Sequence, residues 1–171
     1  MATRNEEVCE KLNDLIQLDF DAIEAYEAAI ERLDSSEYRT QLQMFMRDHE
    51  RHTVNLAEQV RMLGGTPATK ADFMRVLTKG KVVIGALGDD KGVLMAMNAN
   101  EAVTNKTYEH MVKALADHPA VDAVVRGNLA DERRHKAWIE ETLEAIKSGA
   151  SVHPQARGTD TTARPGSGRV L

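Results

Sequence analysis

The chain has 171 residues, enough for one domain with a sizeable core. Its formal net charge is -5 and no cluster of Lys and Arg stands out, so we expect no nucleic-acid partner. The single cysteine, Cys9, excludes an internal disulfide and is typical of a reducing compartment. The first residues lack the apolar core of a signal peptide, and no later run is long enough to span a bilayer. We therefore expect a cytoplasmic protein without a membrane partner.

Apolar residues recur at helical spacing in four stretches, and each stretch ends at a turn signal. The first stops at Asp34-Ser35, which is typical of a cap at the start of the next helix. The second stops at Gly64-Gly65, a strong helix terminator. The third breaks just before Pro119, which suits the first turn of a helix, and the fourth runs to about Lys147. The sequence therefore predicts four long helices.

The segments between and after these helices indicate how the chain is organised. Residues 68–92 predict a long crossover that contains a short helix. Two hairpins with short loops, joined by one crossover, predict an all-α, up-down four-helix bundle of ferritin-like connectivity over residues 1–149. Residues 150–171 are rich in Gly, Pro, Ser, Thr and Arg, and predict a disordered C-terminal tail.

The two predicted hairpins resemble each other in sequence. Tyr26 aligns with Tyr108, and residues 48–52 align with residues 131–135, when one residue is inserted in the loop. Asp19 and Glu101 then occupy equivalent positions, each seven residues before a tyrosine. An internal duplication is the simplest account of this similarity.

Six polar side chains interrupt the apolar faces of the four helices. A buried carboxylate or imidazole is costly unless a partner satisfies it. Counted from the two hairpin loops, all six lie at about the same height, roughly 24 Å along the helices at about 1.5 Å per residue. We expect them to meet in one level of the core, here called the polar layer. Its members are Asp19, His49, His52, Glu101, Glu132 and His135.

The polar layer has two interpretations. Carboxylate oxygen and imidazole nitrogen are ligands that suit iron, manganese or zinc, and a metal centre would use every group in the layer. The alternative is a metal-free network of hydrogen bonds that fixes the register of the helices. Contributions from all four helices at one height favour the metal centre.

On these residues the chain resembles the ferritin and rubrerythrin superfamily, and it looks closer to small bacterial rubrerythrin-like bundles than to cage ferritins. The two-metal site of that superfamily takes one Glu from each of two helices and a Glu-x-x-His from each of the other two. The resemblance implies that Glu101 is a terminal ligand, that Glu132 bridges two metals and that His135 binds through nitrogen. In the other half, Asp19 stands where Glu is usual and His52 is the expected imidazole.

His49 departs from the superfamily pattern, because it occupies the position of the second bridging Glu. An imidazole does not bridge two ions as a carboxylate does, and three carboxylates rather than four remain to face two divalent cations. A mononuclear site, an asymmetric pair of ions, zinc in place of iron and a site without metal all stay open. The neighbouring Asp48 and Glu50 are turned about 100° away from His49 on the helix, so we expect both to be solvated.

The predicted function follows from the resemblance. If iron is bound, the resemblance implies ferroxidase-like or peroxidase-like oxidation of Fe(II) by oxygen or peroxide, and hence a role in iron handling or the stress response. Tyr26 and Tyr108 are interpreted either as donors to the metal ligands or as ordinary core residues. The competing hypothesis is a metal-free bundle that acts as a structural or protein-interaction module. A homodimer also stays open, because Trp138 lies beside the apolar face of the fourth helix.

Overall fold

The computed structural model describes residues 4–70 and 88–149, and these two ranges contain four long helices. They are α1 (Arg4–Ile30), α2 (Ser36–Met62), α3 (Asp90–Ala114) and α4 (Pro119–Ser148). The predicted all-α four-helix bundle is thereby confirmed. The predicted crossover over residues 68–92 falls mostly on residues 71–87, outside the described ranges, and its last residues, 90–92, already belong to α3. The predicted tail, residues 150–171, also lies outside the described ranges. None of the four helices is long and apolar enough to cross a membrane.

The helix ends follow the turn signals in the sequence. The Ser35 side chain caps α2 by accepting a hydrogen bond from the backbone N–H of Tyr38. Pro119 stands in the first turn of α4, where its missing N–H costs no helical hydrogen bond. Helix α4 ends at Ser148 and is capped by Gly149, whose φ of 68° is a left-handed conformation that favours glycine.

The start of α3 is attached to the loop of the first hairpin. The Asp90 carboxylate accepts hydrogen bonds from the backbone N–H groups of Asp34 (2.6 Å) and Ser35 (2.9 Å). Helix α1 packs along α2 and α3 along α4, and the two hairpins meet through contacts of α1 with α3 and of α2 with α4. This packing brings all four helices around one core.

Two apolar clusters fill the core, and the polar layer lies between them along every helix. The first cluster includes Leu12, Leu56 and Leu115, and the second includes Leu33, Leu42 and Leu94. Each cluster contributes one buried tyrosine, Tyr108 from the first and Tyr26 from the second. Because apolar side chains close the polar layer at both ends, its groups are removed from water along the bundle axis.

Candidate metal centre

The six side chains of the polar layer lie in the core, and each of them is 0% exposed. Helices α1 and α3 each supply one carboxylate, α2 supplies two histidines, and α4 supplies one carboxylate and one histidine. They are brought together because the helices are antiparallel in each hairpin and the counts from the loops match. Their position at one level agrees with the expectation from the sequence.

The potential ligand atoms of the polar layer fall into two overlapping groups of four. Within each group the atoms lie within 4.8 Å of one another. The first half-site consists of Asp19, His49, His52 and Glu132. The second half-site consists of His49, Glu101, Glu132 and His135. Because His49 and Glu132 belong to both groups, they occupy the centre of the layer.

The imidazole of His49 lies between three carboxylates. Its Nδ1 is 2.9 Å from Asp19 Oδ1, a hydrogen-bonding distance, and 3.5 Å from Glu132 Oε1. Its Nε2 points the other way and lies 3.8 Å from Glu101 Oε1. Since a carboxylate oxygen only accepts, the Asp19 contact places a ring proton on Nδ1. Burial opposes a second proton on the ring, but Glu132, Asp19 and Glu101 outweigh it and raise the pKa of His49 well above its usual value, so Nε2 offers a lone pair once that second proton is lost.

Two aspartates outside the polar layer hold the other two histidines. Nε2 of His52 lies 3.2 Å from Asp131 Oδ2, and Nε2 of His135 lies 3.0 Å from Asp48 Oδ2. Each contact crosses between α2 and α4. Because Nε2 donates to a carboxylate, the neutral form of each ring presents its Nδ1 lone pair to the polar layer, as is typical of histidines that bind metals.

The expectation that Asp48 is solvated is wrong, whereas Glu50 is exposed as expected. The Asp48 side chain is only 14% exposed, because a residue turned sideways on α2 still reaches the gap between α2 and α4. The sequence did carry a signal for this pair. Residues 48–52 and 131–135 share the pattern Asp-x-x-Arg-His, in which the aspartate and the arginine are repeated together with the histidine.

Two arginines complete the connection between α2 and α4. Arg51 contacts Asp48 (2.5 Å) and Asp131 (2.7 Å), and Arg134 contacts the same two aspartates. We call these four residues the Arg–Asp quartet. Burial opposes ionisation of Asp131, but hydrogen bonds from His52 and the two arginines outweigh it and lower the pKa of Asp131 to about 2. The quartet therefore keeps both aspartates in the form that accepts from histidine.

The two buried tyrosines donate to carboxylates of the polar layer. The Tyr26 hydroxyl donates to Glu101 Oε1 at 2.6 Å, and the Tyr108 hydroxyl donates to Asp19 Oδ2 at 2.7 Å. Burial, together with the neighbouring carboxylates, raises the pKa of both tyrosines well above the usual value, so both remain donors. Both tyrosines therefore donate to candidate ligands, and each donates to a carboxylate of the other hairpin.

Six buried atoms of the polar layer have no hydrogen-bond partner within the described part of the chain. They are His49 Nε2, His52 Nδ1, Glu101 Oε2, both carboxylate oxygens of Glu132, and His135 Nδ1. Of these, His52 Nδ1 and Glu132 Oε1 lie 3.1 Å apart and pair with each other when the His52 ring carries its second proton. Leaving a buried polar atom unpaired costs about 1–3 kcal/mol. All six atoms are of the kinds that ligate divalent transition metals. The polar layer therefore fits a metal ion, whereas a complete hydrogen-bonded network would have paired these atoms.

Protonation of the polar layer is governed by burial and by the opposite charges inside it. Burial opposes protonation of His52, but Asp19 and Glu132 outweigh it and raise the pKa of His52 to about 9. Burial raises the pKa of Glu132 to about 7 and lowers that of His135 to about 4. Metal binding must displace protons from such a centre, so it is expected to release them.

We expect the protein in a chelator to lose stability between pH 7 and pH 9. The pKa of His52 in the folded state, about 9, lies above the usual 6.5, so its protonation stabilises the fold below pH 6.5. This contribution is lost as the pH rises through 9, and its upper limit is ~3 kcal/mol. Urea unfolding in EDTA at the two pH values measures the loss. A flat or rising stability in the wild type, or an equal loss in His52→Gln, would contradict the expectation.

Comparison with solved structures identifies the fold as a ferritin-like helical bundle. A ferritin-like diiron-carboxylate protein from Bacillus anthracis str. Ames matches with a TM-score of 0.65 and 22% identity, over 84% of this chain and 99% of that one. Bacterioferritin from Desulfovibrio desulfuricans, whose structure is described by its diiron site, matches with a TM-score of 0.70 and 22% identity, over 86% of both chains. A dodecameric thioferritin from Bacteroides fragilis matches with a TM-score of 0.72 and 15% identity, over 85% of this chain and 89% of that one.

The sequence also places the chain in a protein family. Residues 7–114 match the model of a family described as a domain of unknown function (DUF2383), and the chain belongs to this family. The matched region covers nearly all of α1 and the whole of α2 and α3. No curated protein matches the chain.

Proposed function

We propose that the protein binds a transition metal, iron in the first place, in the polar layer, and that it serves Fe(II) oxidation by oxygen or peroxide in iron handling or the stress response. The observation that carries this proposal is the set of six unpaired, buried ligand atoms that converge from α2, α3 and α4, with Asp19 of α1 beside them. A buried layer of this composition is stabilised when a cation binds the unpaired atoms and offsets the carboxylate charge.

The choice of iron is supported by the donor atoms and by the comparisons. A mixture of imidazole nitrogen and carboxylate oxygen suits iron, and also manganese and zinc, which remain alternatives. The protein from Bacillus anthracis is described as a diiron-carboxylate protein, and the bacterioferritin as having a diiron site. These descriptions concern folds like this one and support iron as the first metal to test.

The residues of this chain have distinct parts in such a centre. Bound iron would supply the electron that reduces oxygen or peroxide. The carboxylates of Glu101 and Glu132 offset its charge, and Tyr26 holds Glu101 in place. Asp48 fixes the ring of His135 with its Nδ1 facing the centre. The apolar clusters above and below restrict the access of water.

The alternative function is a metal-free bundle that acts as a structural or protein-interaction module. The hydrogen bond between His49 and Asp19 and the Arg–Asp quartet favour it, because these contacts hold without metal. The unpaired atoms of the polar layer weigh against it. Metal retention separates the two functions.

Anaerobic loading with Fe(II), followed by desalting and metal analysis, tests the proposal. We expect the wild type to retain one or two iron ions per chain and the double variant Glu132→Ala/His135→Ala to retain none above background. Glu109→Ala/His110→Ala is the matched control, because it removes the same residue types from the exposed face of α3. Equal retention by the wild type and the first double variant would refute metal binding in the polar layer.

Oxygen consumption after Fe(II) addition then distinguishes an oxidase from a passive binder. We expect the wild type and the exposed-face control to consume oxygen faster than buffer containing the same Fe(II). If the protein retained iron but consumed oxygen and peroxide no faster than buffer containing the same Fe(II), its function would be restricted to metal binding.

A further inference from the structure

The two half-sites are related by the internal duplication, yet their carboxylates are not equally free to bind. Both oxygens of Asp19 are engaged, Oδ1 with His49 Nδ1 and Oδ2 with the Tyr108 hydroxyl. In the equivalent Glu101, only Oε1 is engaged, by the Tyr26 hydroxyl, and Oε2 has no partner. A metal ion that uses Asp19 must therefore share an oxygen with a buried hydrogen bond, whereas Glu101 offers an oxygen that has no partner.

Every residue of the second half-site offers an unpaired atom. These atoms are His49 Nε2, Glu101 Oε2, the oxygens of Glu132 and His135 Nδ1. In the first half-site, the His49 nitrogen near Asp19 is the protonated Nδ1, which cannot bind a metal until it loses its proton. The second half-site is thus a complete set of two nitrogen donors and two carboxylates.

The second half-site is also held more firmly than the first. The side-chain amide of Asn105 donates to the backbone carbonyls of Glu101 (2.9 Å) and Glu132 (3.0 Å), and so ties α3 to α4 directly behind both ligands. In the duplicated hairpin, Ile23 takes the place of Asn105 and cannot make these bonds. The ring of Phe45 lies against that of His135, with centroids 4.3 Å apart and planes at 33°.

Asn128 occupies the position that matches Phe45 in the other hairpin, and it donates to the Tyr108 hydroxyl at 3.4 Å. This polar residue does not cover His52 with an aromatic ring as Phe45 covers His135. Two positions around the centre have therefore diverged so that the second half-site is the more rigid one. Rigid positioning of ligands favours binding, since less ordering is needed when the ion arrives.

We propose that the protein binds one metal ion tightly, in the second half-site, and that Asp19 orients His49 for this ion instead of binding it. The inference rests on the proposed function, and it assigns the metal ion of that function to the residues of the second half-site. It departs from the symmetric two-metal centre, in which both halves contribute alike. His49 is then a ligand through Nε2, with Asp19 behind its Nδ1, in the arrangement that commonly holds a metal-binding histidine.

Anaerobic titration with Co²⁺, followed by its visible absorption and by equilibrium dialysis, tests this assignment. We expect one tightly bound Co²⁺ per wild-type chain, with any second ion at least about tenfold weaker. Asp19→Asn should retain the ion with a loss of no more than about tenfold in affinity, because an amide oxygen still accepts from His49. Glu101→Gln, the matched change in the other half, should lose about 100-fold or more, since Oε2 is replaced by an amide nitrogen.

A second pair of variants, one in each half-site, keeps the test decisive if Asp19→Asn or Glu101→Gln fails to fold. His135→Ala should abolish tight binding, whereas His52→Ala should retain it, and far-UV circular dichroism verifies that both are folded. Two ions of equal affinity in the wild type, or equal losses within either pair, would overturn the inference and leave the proposed function standing. A wild type that binds no Co²⁺ and no Fe(II) would overturn both.

Discussion

Replacing Phe45 by alanine is expected to lower the free energy of unfolding by about 3–5 kcal/mol. The side chain is 2% exposed and lies where the second apolar cluster meets the polar layer. Its ring packs edge-on against Tyr26 and Trp138, with centroids 6.4 Å and 5.6 Å away, and it covers the ring of His135. Truncation to alanine opens a cavity that these rigid aromatic neighbours cannot fill. Urea unfolding in EDTA measures the loss without a contribution from metal.

The control for this experiment is the adjacent Met44, which is 54% exposed. Met44→Ala should change the free energy of unfolding by no more than about 0.5 kcal/mol, as is usual for surface positions. A cost below about 1 kcal/mol for Phe45→Ala would show that this aromatic contact is not part of the stable core.

Removing the carboxylate of Asp48 is expected to weaken metal binding by about 10- to 100-fold. Asp48 accepts from His135 Nε2, so Asp48→Ala frees the ring to turn and makes it less basic. Because the substitution lies at the partly exposed gap between α2 and α4, we expect the fold to survive. Co²⁺ titration measures the affinity, and circular dichroism measures the fold.

Asp131→Ala is the informative comparison, because Asp131 holds His52 as Asp48 holds His135. If the tightly bound ion lies in the second half-site, the Asp131 variant should lose less affinity than the Asp48 variant. Glu50→Ala, an exposed change on the same helix, should leave the affinity unchanged. An Asp48 variant that binds as tightly as the wild type would exclude any role for this aspartate in orienting the ligand.

The helices and the polar layer could be predicted from the sequence because both depend on spacing along the chain. Helical periodicity and caps such as Ser35 determine where the helices lie, and short loops fix the height of each residue in its hairpin. Six polar residues that lie on the core-facing sides of the helices at one height are therefore expected to lie close together. The sequence similarity of the two hairpins adds a second alignment of the same residues.

The pairing of atoms could not be predicted in the same way. Periodicity shows which face of a helix a residue lies on, but not the distance or the rotation between neighbouring helices. That distance and that rotation determine whether Asp48 reaches His135. The tyrosine hydroxyls likewise cross to the other hairpin, so that Tyr26 serves Glu101 and not Asp19 on its own helix. Asn105 was missed for a related reason. Its two carbonyl partners lie on different helices, and only the close approach of α3 to α4 brings them together.

Most of the hydrogen bonds and ion pairs around the centre run from one hairpin to the other. Tyr26 of α1 donates to a carboxylate of α3, and Tyr108 of α3 donates to a carboxylate of α1. Between α2 and α4, the Arg–Asp quartet and the two histidines that it holds form hydrogen bonds in both directions. A hairpin on its own would therefore keep ionisable groups whose partners belong to its counterpart. We therefore expect docking of the hairpins and assembly of the centre to be one cooperative event, in which neither hairpin has a self-sufficient fold.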